Sequence, residues 1–263
     1  MTRSLYLPLL RLILATTVLV VLWQLVIFFG APRYMLPAPL SVMQTLVTQW
    51  GLLWHHALVT LGEIVAGFLC GTLLGAGTAL VLSRWAFLRS TVLPLLLLTQ
   101  AIPVFAIAPL LVLWFGYGPG SKIVMATLII YFPVASTCYD GLRQTQTGWL
   151  DLASTMGGSA NRQLFYIRLP AALPSLASGL RMAATAAPIG AIIGEWVGSS
   201  AGLGYLMLQA NGRMQTDLMF AALIMLLVIT ITLYFTVDRL CRLAMPWQPD
   251  HAGRYALLNG EMT

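Results

Sequence analysis

Long apolar runs separated by short polar segments make up most of this chain. Six runs approach the ~20 residues needed to cross a hydrocarbon core, at 12–29, 64–83, 91–115, 123–139, 176–197 and 218–237. The third is interrupted by Pro94, Pro103 and Pro109, and Pro133 and Pro188 add irregularities to the fourth and fifth. Irregular backbone at membrane depth persists only where protein or a water-filled cavity satisfies it. Gln100-Ala101-Ile102-Pro103, at the middle of the third run, therefore marks a candidate wall for a solute path. Gln100 offers both donors and an acceptor there, while a kink packed against a neighbouring helix fits the same residues equally well.

Between the first two runs, Leu36-Pro37-Ala38-Pro39 leads into Ser41 and Gln44, spaced as a capping box. Val42, Leu46, Val47 and Trp50 then trace one apolar stripe, which predicts a short helix on the membrane surface. The second run carries Gly67, Gly71 and Gly75, and the fifth carries Gly190, Gly194 and Gly198, in each case four residues apart. Such ridges let helix backbones approach closely in lipid, where packing drives association. They are read as packing sites and as part of the contact between two copies of the chain.

One polar island stands between the fourth and fifth runs, at 151–170. Trp149, Leu150, Leu152, Ala153 and Met156 recur at helical spacing, Gly157-Gly158 breaks the run, and Ser159 caps a second helix bearing Leu164, Phe165 and Ile167 that Pro170 stops. An apolar ridge on such a loop fits a protein partner or a connector lying on the membrane surface.

Composition narrows the class. The 263 residues are 59% hydrophobic and 8% charged, with mean hydropathy +0.85, against about 25% charged residues in an ordinary soluble domain. The chain is predicted to be an all-α polytopic membrane protein, one transmembrane domain over 1–263 with a loop at 140–175 and a tail at 239–263. The net charge of +6 is spread along the chain, which argues for membrane topology and against nucleic acid. With the amino terminus in the cytoplasm, Arg3, Arg11, Arg84, Arg89, Arg143, Arg162, Arg168, Arg239, Arg242 and Arg254 lie inside, and Arg181 is near the inner end of the fifth span. Only Arg33, Lys122 and Arg213 then face outward, and the polar island and both termini are cytoplasmic.

Chemistry-bearing residues are few. Cys70, Cys138 and Cys241 read as buried structural thiols, and His55, His56 and His251 form no metal pattern. Gly198-Ser199-Ser200-Ala201-Gly202 satisfies the pattern of a serine-hydrolase elbow, so an intramembrane hydrolase using Ser200 is the rival from another class. Glu63 and Glu195 lie near the outer ends of their spans, where water lowers the cost of a charge; Glu63 reads as structural, and Glu195 as either part of a substrate route or a structural pair. No G-x-x-x-x-G-K-[ST] pattern occurs, so this chain is not read as an ATPase.

The spacing Asp151-x-Ala153, three residues, Gly157, nine residues, Ile167-x-Leu169-Pro170 resembles the EAA loop of ABC-transporter permease subunits, with Asp151 for the usual Glu and Leu152 for the first Ala. Leu36-Pro37-Ala38-Pro39, Trp114-Phe115-Gly116-Tyr117-Gly118 and Gly202-Leu203-Gly204-Tyr205 are similar to the nitrate, sulfonate and taurine group, whose importers also carry thiamine-precursor pyrimidines. The resemblance implies six transmembrane helices in the type I importer fold of the bacterial inner membrane. It implies a coupling helix seated on a cytoplasmic ATPase that binds ATP and Mg²⁺, an extracytoplasmic binding protein, a second permease copy and no cofactor on this chain. Gly194-Glu195-Trp196-Val197-Gly198 and Gln209-Ala210-Asn211-Gly212-Arg213 look most similar to the pyrimidine branch, with a hydroxymethylpyrimidine-like solute; sulfonate, taurine or nitrate is the alternative.

Overall fold

The computed structural model describes residues 3–30, 32, 34–99 and 102–248. Every regular element among them is helical. Helix α1 (Arg3–Phe28) is followed by short α2 (Pro39–Thr48) and by α3 (Trp50–Arg84), which runs unbroken for 35 residues. It begins well before the apolar run at 64–83, because Leu53, Ala57 and Thr60 extend the same buried stripe toward Trp50. The proline-interrupted third run forms two short helices, α4 (Ala86–Thr99) and α5 (Val104–Phe115), rather than one span. Helix α6 (Pro119–Arg143) leads into the loop, where α7 (Thr147–Thr155), α8 (Ala160–Gln163) and a π turn (Leu164–Arg168) precede α9 (Leu169–Gly198). Short α10 (Leu203–Gly212) and long α11 (Thr216–Ala244) complete the fold.

Among the described residues, four helical stretches are long and apolar enough to cross a membrane: α3, α6, the continuous run Ala160–Gly198 and α11. Shorter apolar stretches lie at Leu14–Phe28, Phe87–Leu96 and Val104–Phe115.

Helix α6 is the axis of the bundle, with α3 on one side and α9 on the other. Gly67 abuts Ala126, a Cβ at Gly71 would come 2.7 Å from Ile130, and one at Gly75 would come 2.8 Å from the Tyr131 carbonyl. From α9, a Cβ at Gly190 would lie 2.6 Å from Ala126, one at Gly194 3.0 Å from the Lys122 stem, and one at Gly198 2.8 Å from Val112. Both glycine ridges are therefore consumed inside a single chain, against α6 and α5. This corrects the expectation that they join two copies: close backbone approach was needed, but within the protomer.

Other boundaries differ from the pattern for identifiable reasons. Helix α2 starts at Pro39 behind Ala38, and the Ser41 hydroxyl donates back to the Ala38 carbonyl at 2.9 Å, so no capping box forms. A proline pre-set for the first turn wins over a serine two residues later. Pro170 likewise opens α9 instead of stopping the preceding helix. Cys138 and Cys241 are buried, whereas Cys70 is exposed on the flank of α3.

Candidate functional sites at the two ends of the bundle

The loop at 144–168 is built around the end of α7. The Gly158 N–H donates to the Ala153 carbonyl at 2.8 Å and the Gly157 N–H to the Ser154 carbonyl at 3.0 Å, with Gly157 at φ +76°. This paired closure of a helix end needs the left-handed backbone that glycine adopts without strain. A Cβ at 157 would meet nothing within 4 Å, while one at 158 would come 2.7 Å from the Ala153 carbonyl oxygen. Conformation thus demands Gly157, and space demands Gly158.

Ser159 caps α8 by accepting the Arg162 N–H at 3.5 Å. The Gln163 amide ties the two arms together, donating to Ser154 Oγ at 2.9 Å and the Gly158 carbonyl at 3.0 Å. Arg168 anchors the loop to α6, its Nε and Nη2 donating to the Leu142 carbonyl at 3.2 and 3.0 Å. Neither Gln163 nor Arg168 stood out in the sequence, because their partners lie on other arms of the loop.

What the loop presents outward is apolar. No residue of α7 is buried, Met156 is 79% and Tyr166 80% exposed, and Trp149, Leu152 and Phe165 are also open. Ala153, Ile167, Leu169 and Pro170 are half-buried on its inner side. Asp151 is exposed and lies past the first turn of α7, outside the reach of the helix dipole.

At the α10 end the arrangement is reversed. Three ionisable side chains are enclosed there: Glu63 is 4% exposed, and Lys122 and Glu195 are each 1% exposed. Glu195 Oε1 accepts the Thr60 hydroxyl at 2.6 Å, and Oε2 accepts the Gly204 and Tyr205 N–H groups at 2.5 and 3.4 Å. The carboxylate thereby caps the N-terminus of α10, where unpaired N–H groups and the helix dipole favour an anion. Thr60 Oγ1 also accepts the Leu203 N–H at 2.7 Å, and His56 Nδ1 accepts the Gly202 N–H at 3.0 Å. Gly202 has φ +109°, and a Cβ there would fall on the Glu195 carboxylate.

The Lys122 ammonium donates to the carbonyls of Tyr117 at 2.5 Å and Gly118 at 2.9 Å, and to that of Gly198, which closes α9. Glu63 lies beside both Glu195 and Lys122, and its Oε2 has no hydrogen-bond partner. Lys122 is therefore enclosed at this end of the bundle rather than presented on a surface, and Glu63 and Glu195 are enclosed with it. Protein donors offset the burial of Glu195, and the Lys122 charge offsets that of Glu63. Both Glu195 oxygens are occupied by protein donors, as a structural pairing requires.

The remaining candidates stand apart from both ends. Gln100 lies outside the described residues, and Pro103 is exposed at the start of α5. Ser200 is exposed in the bend between α9 and α10, with a helix rather than a strand before it. The His56 nitrogen nearest this turn is taken by the Gly202 N–H, so no base is aimed at Ser200. Asp238 of α11 pairs with Arg181 of α9 at 2.7 Å and with Arg242 at 2.9 Å.

A helical bundle with a glycine-closed apolar loop between two of its spans matches a known family. Residues 67–247 fit the model of the binding-protein-dependent transport system inner membrane component. The chain belongs to this family. A "Probable ABC transporter permease protein" of Haemophilus influenzae is 58% identical over 88% of this chain and 94% of its own length. The "Formylaminopyrimidine transport permease protein ThiX" of Halalkalibacterium halodurans is 35% identical over 88% of this chain and 92% of its own. The "Riboflavin transport system permease protein RibX" of Chloroflexus aurantiacus is 36% identical over 92% and 91%, respectively. An inward-facing structure of the MetNI methionine ABC transporter shares the fold, with a TM-score of 0.65 at 22% identity over 74% of this chain and 97% of that one.

The protein is thus a multi-pass permease subunit with the type I importer fold, working with an ATPase and a binding protein. It is not an enzyme; a separate subunit hydrolyses ATP. The hydrolase reading of Ser200 is set aside on this ground as well as on geometry.

Proposed function

We propose that this permease imports a small nitrogen heteroaromatic solute of the thiamine-precursor pyrimidine type. Two relatives above 30% identity carry names for such solutes, a formylaminopyrimidine and riboflavin, and this supports the substrate class. Two copies of the chain form the path between them, and the loop at 144–168 docks on the cytoplasmic ATPase, which carries ATP and Mg²⁺. Both termini lie in the cytoplasm, as the inward bias of arginines supports.

The observation that carries the docking reading is the set of apolar side chains standing open on α7 and the π turn. Trp149, Leu152, Met156, Phe165 and Tyr166 are exposed among the described residues, and a protein groove would bury them.

The test is uptake by proteoliposomes holding the permease, its ATPase and its binding protein. Labelled hydroxymethylpyrimidine or formylaminopyrimidine is expected to accumulate with ATP, and taurine, alkanesulfonate or nitrate in excess is expected not to compete. Accumulation of taurine or sulfonate in place of the pyrimidine would assign the same machine to the other branch. Crosslinking the purified complex is expected to trap a permease pair; one permease per ATPase pair would overturn the homodimer.

A further inference from the structure

We infer that Glu195 and Thr60 are positioning residues that pass the displacement of the loop to α10, making α10 the moving element at the end of the bundle remote from the ATPase. The inference rests on the loop at 144–168 being the ATPase dock.

Three observations carry it. First, the helical run from Ala160 to Gly198 is continuous through the π turn, Pro174 and Pro188, so the second arm of the loop, with Phe165 and Tyr166, and Glu195 share one helical rod of about 58 Å at 1.5 Å per residue. Glu195 stands one turn before the end of that rod. Second, the backbone beyond Gly198 is not a rigid link. Residues 199–202 form an irregular turn, and Gly202 is left-handed, so helix geometry alone does not transmit motion into α10. The side-chain bridge does so instead, because Glu195 holds the Gly204 and Tyr205 N–H groups directly.

Third, the bridge is made of directional bonds that hold α10 by its first N–H groups, the acceptors coming from two other helices. Thr60 gives its hydroxyl hydrogen to Glu195 and takes the Leu203 N–H, linking α3, α9 and α10 through one oxygen. Intact, these bonds make α10 follow any displacement of Glu195. Lys122 secures the end of the rod itself, through the Gly198 carbonyl. The exposed side of α10 carries Leu208 and Asn211 and leads to Arg213 and Met214, so movement there reshapes a free surface.

The experiment uses the full complex in proteoliposomes. Leu208, which is exposed, is replaced by the only cysteine after Cys70→Ser, Cys138→Ala and Cys241→Ala. The rate of its modification by a membrane-impermeant maleimide is measured with and without ATP and vanadate. The rate is expected to change at least threefold in the otherwise native complex. In Glu195→Gln and Thr60→Val that change is expected to vanish and uptake to fall at least tenfold, with ATPase co-purification unaltered. Thr60→Ser, which restores the hydroxyl, is expected to recover both. Thr60→Val keeps the shape of the native side chain, so the Thr60 pair decides the matter even if Glu195→Gln fails to fold. A native rate indifferent to ATP, or a Thr60→Val complex that responds like the native one, overturns the inference. Native ATPase binding and uptake by Met156→Asp would overturn the docking reading instead, and with it the driving end of the rod.

Discussion

The loop end and the α10 end of this permease break the rule of apolar inside and polar outside in opposite directions. The loop leaves Met156 and Tyr166 almost fully open, while the α10 end encloses Glu63, Lys122 and Glu195. An apolar surface held open on a glycine-closed turn has the character of an unfinished interface, the basis of the docking proposed above. Buried charges held by helix-end amides and carbonyls are a finished joint, completed within the chain. One end leaves its apolar side chains open, and the other encloses its charges.

Substitutions can break this contrast, and the largest effect is expected at the finished joint. Lys122→Ala would leave two carboxyl groups enclosed without their counter-charge and strip the Gly198 carbonyl of its donor. Removing one partner of a buried ionic group costs about 3–5 kcal/mol, so little folded protein is expected by size-exclusion yield and thermal melting in detergent. Native melting of Lys122→Ala would show that the cluster contributes nothing to the fold.

At the unfinished interface the outcome should be the reverse, with a sound fold and failed function. Gly157→Asp adds a side chain with nothing within 4 Å of its Cβ, so the bundle should insert and melt as the native protein does. Left-handed backbone costs a residue other than glycine about 1 kcal/mol or more, and in the proposed docking the new carboxylate would meet the ATPase groove. Co-purifying ATPase is expected to drop at least tenfold and uptake to cease. Gly157→Asn should be milder, because asparagine tolerates this conformation and brings no charge. Full uptake by Gly157→Asp would make the loop a passive connector.

Two smaller effects sharpen the comparison. Asp151→Ala removes an exposed acid beyond the first turn of α7, where the dipole effect of roughly 0.3–1 kcal/mol has already faded. Uptake is expected to stay within twofold of native, and a larger loss would mean that Asp151 touches the ATPase. Ser200→Ala should change neither uptake nor melting, and the native protein should ignore fluorophosphonate probes. Labelling that disappears with Ser200→Ala would reopen the hydrolase reading.

The two ends also differ in how readable they were. Every signal for the loop is local: Trp149, Leu152 and Met156 at helical spacing, Gly157-Gly158 as the break, Ser159 as the cap. Neighbouring residues report on such a turn because its hydrogen bonds close within six positions of each other. The joint at α10 has no local signal. Thr60 and Glu195 are 135 residues apart, and His56 and Gly202 are 146 apart. Counting positive charges assigned Lys122 to a segment but could not show which carbonyls receive it.

The amino-acid order by itself determined the membrane class, the loop at 151–170, its glycine closure and the family, because these depend on composition and short-range spacing. It also announced that Gly67, Gly71, Gly75, Gly190, Gly194 and Gly198 lie where backbones come close. Only the tertiary structure decided that they meet α6 and α5 rather than a second copy, and that the third run divides in two. It alone joined Thr60, Glu63, Lys122 and Glu195 into one cluster. A glycine's missing side chain specifies closeness without naming the neighbour, and a buried charge specifies the need for a partner without naming it. Both partners are supplied by helices distant in sequence, so both had to wait for the packed bundle.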